Sequence, residues 1–346
     1  MKEGKLPIPK LHEILELKGA KNSGIISAGI VGHDVAVIDI QSAKEQAYKF
    51  YNNESDILLV EKSDPITFPT PNPGYYSVVV NSNDIACSGG IPYGFLITII
   101  APPDTTFEQI KVIQKETHKQ CKEFNISILG GHTEISQSVN TIIISGHMLG
   151  FVPKDFLVPN SLSPGNKIIA LGYSGKEGTN ILIEEAGEAI NKKFTKKEIA
   201  EWKEKNSDIS ILNIALELNR LFKPRLLHDP TEGGIFGALY EIVATTGLGI
   251  KLDNLPPLSN VTKKLSEWLN FNPYRLISAG GLIIAVEEEK ASKIIEFLRM
   301  RNYPAEIIGT VITSDKKLVY KEEELLPPEG DDIIIALNNL KKKSDE

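Results

Sequence analysis

Apolar residues in the first half of the chain fall into short runs separated by glycine, proline and acidic positions. "DVAVIDI" (residues 34–40) alternates at period two, and "ILLVEKSD" (57–64) is an apolar run closed by a carboxylate, so both predict strands. "FLITII" (95–100) has strand length, and residues 126–129 and 141–149 complete the set. "VVVNSNDIACSGG" (78–90) reads the same way, as a buried strand running into Asn81 and Asp84 and closed by Gly89 and Gly90. "ILGGHTEIS" repeats that design: an apolar strand, two glycines, then His132, Thr133 and Glu134. If both ends point at one site, the carboxylates share a task. Between these runs "PPDTTFEQIKVIQKETHKQCKEF" shifts to helical period. Phe107, Ile110, Ile113, Cys121 and Phe124 fall largely on one face, and Thr105 and Glu108 have capping-box spacing.

"VPNSLSPGN" (158–166), with two prolines, a glycine and little apolar character, marks a boundary between domains 1–157 and 158–346. Beyond it "KIIAL" begins a second series. Thr179 caps a helix through "NILIEEAGEAI", a second helix spans about 209–222, and a third follows "HDPTEGG". A strand at 282–286, a helix over 291–300 and the strand "EIIGTVI" complete it. This order predicts two α+β domains of similar size.

Composition narrows the function. A length of 346 residues with 41% hydrophobic and 24% charged content belongs to a globular protein able to bury two cores. A formal charge of -7 and the lack of a basic stripe argue against a nucleic-acid partner; Lys341, Lys342 and Lys343 read as a solvated tail. Cys87 and Cys121 offer neither a disulfide framework nor metal-ligand spacing and read as buried thiols. No apolar leader and no membrane-length run is present, which predicts a cytoplasmic protein. Abundant Ile, Lys and Glu lean toward a thermophile.

Five acidic residues stand beside glycine, proline or small residues: Asp34, Asp64, Asp84, Glu134 and Asp229. Hard cations such as Mg²⁺ take oxygen ligands, and small neighbours let backbone amides approach phosphate oxygens. The pattern suits a nucleotide held through metal ions. His33, His132 and His228 lie inside the same motifs, yet the carboxylate-rich, cysteine-poor surroundings favour a hard metal over zinc. There is no phosphate-binding G-x-x-x-x-G-K-[ST] loop, no G-x-G-x-x-G after a strand, no kinase H-R-D set and no G-x-S-x-G elbow.

"GHDVAVID", "SDPIT", "NDIACSGGIP", "GGHTEIS" and "DPTEGG" occur in the order found in the PurM-like (aminoimidazole ribonucleotide synthetase-like) superfamily. The chain resembles most its archaeal HypE-related branch, the hydrogenase expression/formation proteins, over about residues 4–315. The resemblance implies an N-terminal domain that forms a β-barrel across a homodimer, and a C-terminal α/β domain. It implies ATP and Mg²⁺ as cofactors. Asp34, Asp64 and Asp84 become the metal side, and Asn81, Gly130, Gly131, His132, Thr133 and Glu134 the ATP contacts. Asp84 and Asp229 become the catalytic carboxylates, Asp229 from the second domain.

Four positions depart from the family pattern. His33 replaces the first acid of G-D-D, His132 replaces the acid of G-G-D-T, and "SAGG" (278–281) replaces N-E-G. HypE carries its carboxamide on a terminal cysteine, whereas this sequence ends "NLKKKSDE", so dehydration on its own tail is not expected. Three functions follow from the resemblance. The leading one is ATP-dependent activation of an amide or carbonyl oxygen by phosphorylation, on an unidentified small-molecule or side-chain acceptor. The others are a phosphotransferase like thiamine-monophosphate kinase and a nucleotide-binding scaffold that pairs with a maturation partner.

Overall fold

A helix stands where the valine-rich stretch predicts a strand, and it organises the first half of the molecule. The computed structural model describes residues 1–67, 70–313 and 317–344, and the chain divides into two units, Met1–Leu157 and Val158–Glu346. Of the lysine-rich tail, residues 345 and 346 lie outside the described residues.

The first unit opens with β1 (Gly4–Lys5), α1 (Ile8–Leu15), β2 (Ile25–Ser27), β3 (Val37–Ile38), α2 (Ile40–Ala43) and α3 (Glu45–Tyr51). It continues with β4 (Ile57–Ile66), α4 (Pro73–Cys87), β5 (Ile91–Ala101), α5 (Phe107–Glu123), β6 (Ser127–Ile135) and β7 (Ile143–Pro153). One sheet has the order β1-β6-β5-β7-β4, in which β5 and β6 run parallel, joined through α5, and the other pairs run antiparallel. β2 and β3 form a separate ribbon. The core lies between one sheet face and the helices, around Val78, Phe95, Ile97, Ile99, Ile110 and Met148.

Val78–Val80 suit a strand, but α4 carries them as a helix that starts with Pro73 in its first turn. Nearly every residue from Tyr76 to Cys87 is buried, so no polar face betrays the helical period. Three of its polar side chains bond to carbonyls of the preceding turn. Ser77 Oγ donates to the Gly74 carbonyl at 3.0 Å, Asn81 Nδ2 to Ser77 at 2.8 Å and Ser82 Oγ to Val78 at 2.7 Å.

Smaller departures have local causes. The 34–40 stretch contributes only Val37 and Ile38 to a strand, because the Asp39 carboxylate accepts the Gln41 N–H and starts α2. The capping box of α5 uses Thr106 and Gln109, one residue beyond the predicted pair. β6 does not stop at its glycines but runs through them to Ile135.

The second unit contains β8 (Lys167–Leu171), α6 (Lys176–Ala186), α7 (Lys196–Asn206), α8 (Leu212–Phe222), β9 (Leu226–His228), α9 (Gly234–Thr246) and β10 (Gly249–Leu252). It ends with α10 (Asn260–Leu269), β11 (Leu282–Val286), α11 (Glu288–Met300), β12 (Ala305–Ile312), β13 (Leu318–Tyr320), β14 (Glu323–Leu325) and α12 (Ile333–Ser344). Its sheet has the order β14-β13-β10-β12-β8-β11-β9 and is antiparallel except for β10 with β13. α6 begins before Thr179, whose hydroxyl lies 2.9 Å from that of Thr262 instead of capping the helix.

Candidate active site

Strand register decides which of the predicted residues can meet. Asp64 lies opposite Gly146, Gly146 opposite Ile97, and Ile97 opposite Gly131. Ile97 belongs to the core under α4 and α5, so this row faces the helices. The next row, Pro65, Ser145, Thr98 and His132, faces the other way. Glu134 shares that second face, with Oε2 3.1 Å from His132 Nε2. Three strand spacings, about 14 Å, separate Asp64 from Gly131. The two motif ends therefore do not converge on one point.

Asp64 and Asp84 instead meet around a residue that the motifs did not single out. Lys62 precedes Asp64 by two positions on β4 and so shares its face, while α4 brings Asp84 against both. Lys62 Nζ sits 3.0 Å from Asp84 Oδ2 and 3.4 Å from Asp64 Oδ2. Burial pulls the Lys62 ammonium down in pKa, but Asp84 and Asp64 outweigh it and the net shift is upward. Burial raises the Asp64 carboxyl, Lys62 opposes that rise and Asp84 adds to it.

Asn81 was expected to touch ATP, but its amide is engaged by protein backbone. Its Oδ1 accepts the Asp64 N–H at 2.9 Å and its Nδ2 donates to the Asp64 carbonyl at 3.3 Å. β4 is the last strand of its sheet, so this fully buried amide supplies the pairing that a further strand would provide. Asn81 positions Asp64.

A separate groove opens along β6. β1 pairs with β6 only at Glu134 and Ile135, which leaves the edge upstream beside the loop that precedes β3. The Gly29 N–H ties that loop to the Leu129 carbonyl at 2.9 Å. Between them lies a cavity of about 400 Å³, lined by His33, Asp34, Gly130, Gly131, His132 and Thr133 among others. Gly131 has φ +153°, and a Cβ there would stand 1.8 Å from the Ile97 carbonyl oxygen, so backbone rather than side chain forms this wall. Asp34, the two glycines, His132 and Thr133 are thus brought together, and Asp64, Asp84 and Asn81 form a second cluster.

The metal trio expected of Asp34, Asp64 and Asp84 does not assemble. Asp34 belongs to the groove, and a lysine stands between the other two carboxylates. Among the described residues no three His, Cys, Asp or Glu side chains converge to hold a metal ion. The donor set present does not fit a preformed Mg²⁺ site.

In the second unit, antiparallel pairing of β11 with both β8 and β9 brings three segments to one end of the sheet. These are the turn after β8, the "DPTEGG" loop holding buried Asp229, and "SAGG" before β11. Glu177 Oε2 accepts the Ala279 N–H at 3.2 Å, and Gly175 N–H donates to Ser278 Oγ at 2.9 Å. Burial pushes the Glu177 carboxyl up to about 7, against the Ala279 bond and with help from Asp331 and Glu232. Asp331 accepts from the N–H groups of Gly233, Ile277 and Ile333, while its burial raises it to about 6. Lys62, Glu177 and Asp331 escaped the sequence reading; for Lys62, its i, i+2 spacing from Asp64 on a strand was the available signal.

Known proteins share this fold. A protein of Methanocaldococcus jannaschii described as a hydrogenase expression/formation protein is 27% identical over 263 residues, covering 74% of this chain and 75% of its own. The carbamoyl dehydratase HypE of Escherichia coli is 25% identical over 256 residues, covering 72% and 73%. The crystal structure of E. coli HypE superposes with a TM-score of 0.72 at 20% identity, covering 92% of this chain and 96% of that one. HypE in complex with ATP gives 0.65 at 19% identity, covering 84% and 94%, and HypE in complex with HypF gives 0.65 at 24%, covering 79% and 90%. The fold is the two-domain PurM-like one, with mixed α and β content in each part. Residues 32–152 match the N-terminal domain of AIR synthase related protein and residues 163–321 its C-terminal domain. With both domain models matched in order along most of its length, the chain belongs to the AIR synthase related protein family.

Proposed function

We propose that the chain is an ATP-dependent enzyme of the HypE and aminoimidazole ribonucleotide synthetase-like group, activating an amide or carbonyl oxygen of its acceptor by phosphorylation. The β6-edge groove is the observation that carries this: Gly130 and Gly131 leave backbone bare, and Thr133 adds a hydroxyl on the same wall. Bare backbone amides suit phosphate oxygens. The relatives support it, since one is a carbamoyl dehydratase and a protein of the same fold has been solved with ATP. The acceptor oxygen attacks the γ-phosphorus, ADP leaves, and inorganic phosphate departs in a later elimination or displacement. In this proposal Asp84 is the catalytic carboxylate of the first unit and Asp229 that of the second, and Mg²⁺ comes as counterion of the ATP phosphates. A maturation partner presents the acceptor, as HypE itself has been solved with HypF.

The proposal includes a homodimer through the first unit. The sheet face turned away from α4 and α5 carries Leu96, Thr98, Ile100, Ile143, Ser145 and His147, half-buried side chains suited to closing a barrel against a second copy.

Thr133→Val tests the groove, because it removes one hydroxyl at constant shape on a strand. ATP affinity in calorimetric titration is expected to fall about tenfold, or about 1.4 kcal/mol, at unchanged thermal stability. Unchanged affinity would take ATP out of this groove. A screen of acceptors for stimulated ADP release then separates the chemistries: free phosphate marks activation, and a stable phosphorylated acceptor marks a kinase.

A further inference from the structure

We infer that the Lys62 ammonium takes, in this chain, the place between Asp64 and Asp84 that a divalent cation would fill, so that a built-in organic cation replaces one bound metal ion. The inference rests on the proposed membership of the ATP-dependent group, whose resemblance puts Asp64 and Asp84 on the metal side of the ATP site. Its observations lie in the first unit alone.

The ammonium is already seated. Nζ stands 3.0 Å and 3.4 Å from one oxygen of each carboxylate, which places it between them rather than beside one. Both carboxylates come from fixed backbone. Asn81 clamps Asp64 by both its N–H and its carbonyl, and Asp84 rides on a helix that is buried along most of its length. Mg²⁺ binds carboxylate oxygens at about 2.0–2.1 Å and keeps an octahedral shell. A divalent ion bridging these two oxygens would occupy the volume that Nζ holds. Eviction would leave the ammonium next to a doubly charged ion, with its stem still anchored on the same strand face. No further carboxylate, histidine or thiolate converges here, among the described residues, to repay that repulsion. Lysine is suited to the role as a compact point charge with three donors, enough to serve two carboxylates and leave one directed outward.

Two consequences separate this arrangement from a metal site. Free protein holds no divalent ion at this pair, and removing the lysine creates a site. The test uses the full chain without nucleotide, titrated with Mn²⁺ while electron paramagnetic resonance counts the free aqua ion. Wild-type protein is expected to take up no Mn²⁺ that depends on Asp84. Lys62→Met keeps the length of the stem and vacates the ammonium, so it is expected to gain one Mn²⁺ with affinity at least about tenfold above wild type. Adding Asp84→Asn to Lys62→Met is expected to abolish the gain. One Mn²⁺ bound by the wild type and lost in Asp84→Asn would overturn the inference, and so would a folded Lys62→Met that gains nothing. The wild-type comparison stands even where Lys62→Met does not fold. Because no ATP is present, these results are independent of whether Thr133→Val weakens nucleotide binding.

Discussion

Replacing Asn81 with alanine removes the amide that completes the edge of β4, and the structure gives the size of the effect. Two bonds to Asp64 are lost, from its N–H at 2.9 Å and to its carbonyl at 3.3 Å. A backbone group left without a partner costs about 1–3 kcal/mol, and the lower end applies because the Asp64 side chain is 33% exposed and water can reach nearby. The third bond, to the Ser77 carbonyl, adds little, since that oxygen also accepts a helical N–H. Alanine further leaves a small void beside Gly146 and Phe95, whose atoms close around the amide. Together these amount to about 3 kcal/mol, or a fall in Tm of about 6–12 °C for a unit of this size. Differential scanning calorimetry measures it directly. Asn81→Asp provides the control: it keeps the shape but turns an acceptor toward the Asp64 and Ser77 carbonyls, so it should destabilise at neutral pH and recover in part under acid. A Tm for Asn81→Ala within about 2 °C of wild type would refute the edge-completing role.

Gly131→Ala places a methyl group 1.8 Å from the Ile97 carbonyl at a φ of +153°, so soluble yield should collapse, whereas Gly130→Ala, strained by its φ of +148° but with its nearest neighbour at 3.7 Å, should lose stability and still fold more readily than Gly131→Ala. Glu177 holds its proton up to about pH 7 when folded but releases it near 4.5 when unfolded, so the folded state binds more protons in between and stability falls as pH rises through that window. Chemical denaturation should show about 3 kcal/mol of that loss disappearing in Glu177→Gln, and identical pH slopes would dismiss it. Light scattering at micromolar concentration should give twice the 38.1 kDa chain mass, and a monomer that still binds ATP would contradict the proposed barrel.

The sequence was most legible where a strand keeps one face covered. β4, β5 and β7 were visible because polar and apolar positions alternate or run unbroken to a turn signal, and β11 for the same reason. α4 was not, because a helix buried on nearly all sides shows no period, and Val78–Val80 carry the side chains of a strand. The glycines of β6 looked like a strand end, yet the strand passes through Gly130 and Gly131, and at Gly131 it lies so close to the Ile97 carbonyl that no side chain fits. Motif order singled out Asp34, Asp64, Asp84, Glu134 and Asp229 and passed over Glu177 and Asp331, and it could not tell that β4 turns Asp64 toward the helices while β6 turns His132 away from them. Positioning residues were harder still. Asn81 looked like a ligand contact because an amide does the same work for a nucleotide as for a strand edge.

The burial of α4 bears on how such a chain can diversify. Twelve of its fifteen residues are buried, so almost any substitution there meets a packed neighbour and must match it in volume and hydrogen bonding. The loop that lays Gly32, His33, Asp34 and Val35 along the groove is exposed at those four positions and carries little of the core. Mutational drift should therefore gather in that loop, where a new side chain alters what the groove accepts. The frame that fixes Asp64, Lys62 and Asp84 stays as it is, and ligand preference can change without the fold being renegotiated.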